Sequence, residues 1–107
     1  MSNTKIYNKL VRDHIPDIIQ SNGATCEIMY LDRQAYIQAL DTKLMEEFGE
    51  FREHRDVEEL ADMLEVLFAM AKAHGYSWID VASAHREKRE KRGGFDRAIL
   101  LKTVTED

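Results

Sequence analysis

Two long helical patterns in this chain are separated by only three residues, His54, Arg55 and Asp56, and so short a connection forces the two helices to run antiparallel. The first follows Asp32, a good N-cap, and runs to about Glu53. The second follows Asp56, another N-cap, and runs from about Val57 to His74, with Gly75 as its stop. Each supplies an apolar stripe at helical spacing: Tyr36, Leu40 and Leu44 on the first, Met63, Val66 and Met70 on the second. The second helix carries another stripe, Leu60, Leu64, Leu67 and Ala71, beside that one, and this reads as its main core stripe. One hairpin cannot cover both, so the pattern predicts a homo-oligomer, a homodimer or homotetramer.

The rest of the chain is organised around that hairpin. Pro16 opens a short helix that Asn22-Gly23 ends. From Ala24 to Leu31 residues alternate, placing Cys26, Ile28 and Tyr30 on one face of a short strand or extended segment. Ser77, with Asp80 three residues on, starts a fourth helix that ends at Gly93-Gly94. At 107 residues, with 44% hydrophobic content, five glycines and one proline, the chain is expected to be one domain over 1–107. Its expected class is all-α, an antiparallel hairpin or four-helix bundle completed by oligomerisation, with a short extended N-terminal segment.

Charge and composition narrow the function classes. A net charge of −5 argues against binding a nucleic-acid polymer, which needs clustered Lys and Arg. The single cysteine, Cys26, precludes an internal disulfide and reads as a small buried hydrophobe. No apolar run resembles a signal or membrane anchor, so a cytoplasmic location away from membranes is expected. His14, His54, His74 and His85 show no metal spacing, and there is no Ser-His-Asp or phosphate-loop pattern to support covalent catalysis.

The acids are where chemistry is written. Glu47 and Glu50 are three apart near the end of one helix; Glu59 and Asp62 are three apart near the start of the next. Folding the hairpin sets Glu50 level with Glu59, and Glu47 level with Asp62. Glu47 continues the Tyr36, Leu40, Leu44 stripe, and Glu59 and Asp62 continue the Met63, Val66, Met70 stripe. Four carboxylates converging at the end of an apolar seam repel one another unless protonated or bound to cations. Hard, oxygen-preferring divalent ions fit that demand, Mg²⁺ above all. Helix starts also attract acids through their dipole, so solvated acids are the plainer alternative.

The run Glu46-Glu47-Phe48-Gly49-Glu50, followed by Glu59-Leu60-Ala61-Asp62, resembles the EExxE…ExxD signature of the MazG-like all-α nucleotide pyrophosphohydrolase superfamily. The opening Tyr7-Asn8-Lys9-Leu10-Val11-Arg12-Asp13-His14-Ile15-Pro16 and the ending Lys88-Arg89-Glu90-Lys91-Arg92-Gly93-Gly94-Phe95 resemble its phosphoribosyl-ATP pyrophosphohydrolase-like branch. Together these segments span nearly the whole chain. The stretch between Glu50 and Glu59 is shorter than in many members, which leaves the substrate subgroup open.

The resemblance implies Mg²⁺-assisted attack of water on the α-phosphorus of a nucleoside triphosphate, releasing pyrophosphate and the monophosphate. Glu47, Glu50, Glu59 and Asp62 are then the metal ligands, and Glu46, turned about 100° from them, is a candidate base. Lys88 and Arg92, four apart on the last helix, are candidate phosphate contacts, or a solvated cationic helix end. Lys9 and Arg12 are further candidates, with Asp13 available to orient Arg12. Lys43 serves either as a substrate contact or as an i to i+4 partner of Glu47. Trp78 and Tyr36 read as core aromatics more readily than as base-stacking groups. Two rival readings are the histidine-pathway phosphoribosyl-ATP enzyme itself and a non-catalytic helical dimerisation or regulatory module.

Overall fold

The computed structural model describes residues 3–107, which form four helices: α1 (Ile15–Ser21), α2 (Arg33–His54), α3 (Val57–Ala73) and α4 (Trp78–Arg92). Local chemistry sets their ends. The Asp32 side chain accepts from the Ala35 N–H at 2.9 Å, and that of Asp56 from the Glu59 N–H at 3.1 Å. Ser77 and Asp80 form a reciprocal capping box, at 3.1 and 2.8 Å. Pro16 lies in the first turn of α1. Two residues, Arg55 and Asp56, join α2 to α3. Arg55 is left-handed at φ 57°, and its N–H closes on the Phe51 carbonyl at 2.7 Å.

That turn folds α3 back along α2, while α4 touches only α3. Phe68 and Trp78 meet edge to face there, with centroids 4.0 Å apart. The hairpin seam is built as the stripes require: Leu40 and Val66 are buried, and Tyr36, Leu44, Met63 and Met70 are half-buried beside them. The other α3 stripe is the one left open, with Leu60, Leu64 and Leu67 between 42% and 49% exposed. Glu59 and Asp62 select between the stripes, since they lie on the one that faces α2.

Residues 24–32 contain neither helix nor strand. Cys26 is half-buried near the Pro16 carbonyl of α1, but Met29 and Tyr30 project outward at 77% and 90% exposure. Alternation needs a partner strand to become a ladder, and among the described residues there is none.

The chain is long and open, extending 73 × 32 × 24 Å with a radius of gyration of 19.1 Å. A globular domain of this length has a radius nearer 13 Å. Only Leu40 and Val66 are buried apolar side chains among the described residues, and neither is fully enclosed.

Candidate functional site: a carboxylate cluster at the hairpin end

Antiparallel pairing brings Glu47 of α2 against Glu59 and Asp62 of α3, near the turn. One carboxylate oxygen from each lies within 4.8 Å of the other two, and all three residues are half-buried. The three-residue spacing of Glu59 and Asp62 puts both on the inner face of α3, and Glu47 continues the inner face of α2 one turn past Leu40 and Leu44.

Glu50 diverges from this trio. Its carboxylate lies 3.5 Å from His54 Nε2, and with Glu53 the two form a second, exposed group at the helix end. Glu50 is still near enough to act electrostatically on Glu59, whose carboxyl is raised above the ordinary 4.5 by partial burial, then by Asp56, Asp62 and Glu50, with His54 opposing. Acids this close resist simultaneous ionisation, and a divalent cation is the partner that oxygen-only donor sets suit.

Cations of the chain already reach the cluster. Arg12 donates from Nη2 to Asp62 Oδ1 at 2.7 Å. Lys9 Nζ lies 3.1 Å from Glu46, and Lys43 Nζ lies 3.4 Å from both Glu46 and Glu47. Arg12 therefore pairs with Asp62, and Asp13 forms no ion pair with it. For Glu46, burial alone would raise the carboxyl, but Lys9 and Lys43 outweigh it and hold the group below 4.5. That makes Glu46 an anchor for the two lysines and a weaker proton acceptor.

These contacts lie on one side of the hairpin. Lys43, Glu46 and Asp62 turn toward the residues preceding α1, which cross the hairpin with Asn8 at φ 46°. Asn8, Lys9, Leu10, Ala39, Thr42, Lys43 and Glu46 enclose a small cleft of about 180 Å³, flanked by two lysines. Neither the Lys9–Glu46 nor the Arg12–Asp62 pairing has a signature in sequence spacing, because the partners belong to separate elements.

Lys88 and Arg92 stand on the exposed last turns of α4 and form no ion pair with the acids among the described residues. Arg89 instead approaches Asp96 at 3.8 Å. Tyr36 is in the hairpin seam, and Trp78 anchors α4 on Phe68. Among the described residues no helix is long and apolar enough to cross a membrane.

No family model matches this chain, and no solved structure matches it. Over 44 residues, 41% of the chain, it is 48% identical to a protein of Mycolicibacterium smegmatis described as an uncharacterized protein. The match spans 45% of that relative's length.

Proposed function

We propose that this chain is a Mg²⁺-dependent nucleoside triphosphate pyrophosphohydrolase, cytoplasmic and homo-oligomeric, belonging to the MazG-like group that its motifs resemble. The observation that carries the reading is the convergence of Glu47, Glu59 and Asp62, from two helices, to within 4.8 Å. Their donor set is all oxygen and anionic, which fits Mg²⁺. Glu47, Glu59 and Asp62 would hold the ion, and Glu50 would join them by turning from His54.

When bound, Mg²⁺ offsets phosphate charge and lowers the pKa of a coordinated water. The chain's own groups do the rest. Lys43 and Lys9, fixed by Glu46, line the cleft beside the acids and draw phosphate oxygens to it. Arg12, held at Asp62, is close enough to exchange that carboxylate for a phosphate, and its planar fork suits two phosphate oxygens. Lys88 and Arg92 add charge at the leaving pyrophosphate, either from a second copy or by movement of α4. Water attacks the α-phosphorus and gives up its proton to solvent, while the bond from that phosphorus to the α–β bridging oxygen breaks and the oxygen leaves with its electron pair on pyrophosphate, giving a nucleoside monophosphate.

A panel of nucleoside triphosphates, with phosphoribosyl-ATP among them, assayed for pyrophosphate release with and without Mg²⁺ tests this reading. Release from ordinary triphosphates is expected. Release from phosphoribosyl-ATP alone selects the histidine-pathway reaction. No release from any substrate, with divalent binding intact, selects a non-catalytic module.

A further inference from the structure

We propose that the residues preceding α1 form a charge-operated strap, latched on Asp62 by Arg12 when the carboxylate cluster is cation-free and released there, though still held at Lys9 and Leu10, when a divalent ion binds. This rests on the metal reading above and adds to it a change of state in the protein itself.

The strap is fastened by side chains alone. Among the described residues, the backbone of 3–14 hydrogen-bonds only forward into α1, through the Arg12 and His14 carbonyls. Helix contacts join α2 to α3 and α3 to α4, so α1 rests on neither member of the hairpin. Two ion pairs and one apolar residue remain. Lys9 Nζ lies 3.1 Å from Glu46 and Arg12 Nη2 lies 2.7 Å from Asp62, while half-buried Leu10 lines the small cleft with Ala39 and Thr42. Exposed pairs of this kind are weak and are screened by salt, so little is needed to open one.

The two pairs differ in what they touch. Glu46, which holds Lys9, is outside the converged trio, whereas Asp62, which holds Arg12, belongs to it. With all three acids ionised, the trio faces two chain cations, Lys43 at Glu47 and Arg12 at Asp62, and one negative charge is left over. A divalent ion reverses that balance to one positive charge, so one chain cation becomes surplus. Lys43 keeps a second acceptor in Glu46 at 3.4 Å. Arg12 has no such reserve, since Asp62 is its sole ion-pair partner among the described residues. Repulsion by the ion and loss of the acceptor therefore fall together on Arg12. Lys9 and Leu10 keep their partners, so the strap pivots without detaching, and the freed guanidinium stays within reach of an incoming polyphosphate. The order this imposes is cation first, polyphosphate second.

Trypsin reads the latch directly, because it must seat the Arg12 guanidinium in its own specificity pocket before cutting the Arg12–Asp13 bond. Mass spectrometry on the full chain measures that cut relative to the cut after Lys102, which is exposed and outside any helix. The ratio is taken in chelator and in Mg²⁺ at matched ionic strength, with calorimetry following Mg²⁺ binding in parallel. Mg²⁺ is expected to raise it about threefold, and by no more than about fivefold, the limit an exposed pair sets on the open population. Asp62→Asn, which removes the charge that holds Arg12, should show the raised ratio already in chelator. Glu47→Gln, which spares the Arg12–Asp62 pair but weakens the trio, should keep the low ratio at the Mg²⁺ concentration that half-saturates the wild type. An unchanged or lowered ratio in wild-type protein that calorimetry shows to be loaded overturns the strap and leaves the metal reading standing, and this comparison needs no variant to fold. A low ratio in folded Asp62→Asn, or a Glu47→Gln protein that opens like the wild type, overturns the strap as well. Absence of Mg²⁺ binding overturns both the strap and the metal reading.

Discussion

Arg12 Nη2 and Asp62 Oδ1 are 2.7 Å apart although fifty positions separate them in the chain, so one of the three clustered carboxylates is engaged by a guanidinium. A divalent ion entering the cluster must compete with that contact. The pair is partly solvent-exposed, at 56% and 40%, and such bridges contribute only about 0.2–1 kcal/mol. Arg12→Ala is therefore expected to tighten Mg²⁺ binding by at most about fivefold while slowing triphosphate turnover. Calorimetric Mg²⁺ titration beside steady-state kinetics reads both effects, and unchanged affinity would show that Arg12 does not hold the cluster.

The ligand roles differ in a testable way. Asp62→Asn and Glu47→Gln, each removing a member of the converged trio, should abolish Mg²⁺-dependent turnover, a loss on the order of a hundredfold or more. Glu50→Gln should be milder, because Glu50 is paired with His54 and outside the trio. Pyrophosphate release by the three variants at saturating Mg²⁺ gives the order; a Glu50 variant as inactive as the Asp62 variant would place Glu50 in the ligand set from the start.

Glu59 makes the cation-free protein sensitive to pH. Its folded carboxyl titrates above 4.5, through partial burial and then the charges of Asp56, Asp62 and Glu50. The folded state accordingly binds a proton more tightly than the unfolded chain. This group's contribution to stability is greatest below the unfolded pKa and is lost as pH rises through the raised folded value. Glu59→Gln should remove that part of the slope and raise the melting temperature of the cation-free protein at neutral pH. Thermal melts from pH 4 to 7 in chelator check the sign.

Asp56 has two separable effects, since its side chain caps α3 through the Glu59 N–H and its charge helps raise the Glu59 carboxyl. Asp56→Ala removes the cap and should destabilise the fold by about 1 kcal/mol. Asp56→Asn keeps an oxygen acceptor without the charge, so it should retain most of that stability and shift the Glu59 titration downward. Denaturant melts and carbonyl-region NMR titration of the two variants distinguish the effects.

Helix ends and the hairpin were legible because they depend on local chemistry: Asp32, Asp56 and the Ser77/Asp80 box cap helices where spacing predicts. The inner faces were legible because Glu47 and Asp62 share stripes with Leu40 and Val66. Apolar bulk made Leu60, Leu64, Leu67 and Ala71 read as the main core stripe of α3, but that stripe is the open one and Met63, Val66 and Met70 face α2, because periodicity does not say which of two apolar stripes meets the partner helix. Of the two readings of the alternation of Cys26, Ile28 and Tyr30, a strand or an extended segment, the strand does not form, because a period of two describes a strand only where another strand is present to pair with it. The divergence of Glu50 toward His54, and the arrival of Lys9 and Arg12 at the acids, depend on rotamers and on contacts between elements distant in sequence.

The two-residue link through Arg55 and Asp56 has a consequence for the order in which the molecule assembles. Contacts across so short a turn close quickly, whereas Arg12 must find Asp62 across a loop of fifty residues. The hairpin is therefore expected to nucleate first, bringing Glu47, Glu59 and Asp62 together with Lys43 of α2 as the one cation at hand, before Lys9 and Arg12 arrive. The hairpin alone then carries a cluster that Lys43 offsets only in part, and docking of the N-terminal segment adds the charge of Arg12 at Asp62. Refolding should accordingly be faster in millimolar Mg²⁺ than in chelator, and Arg12→Ala should leave the fast helical phase unaltered while weakening the slow one.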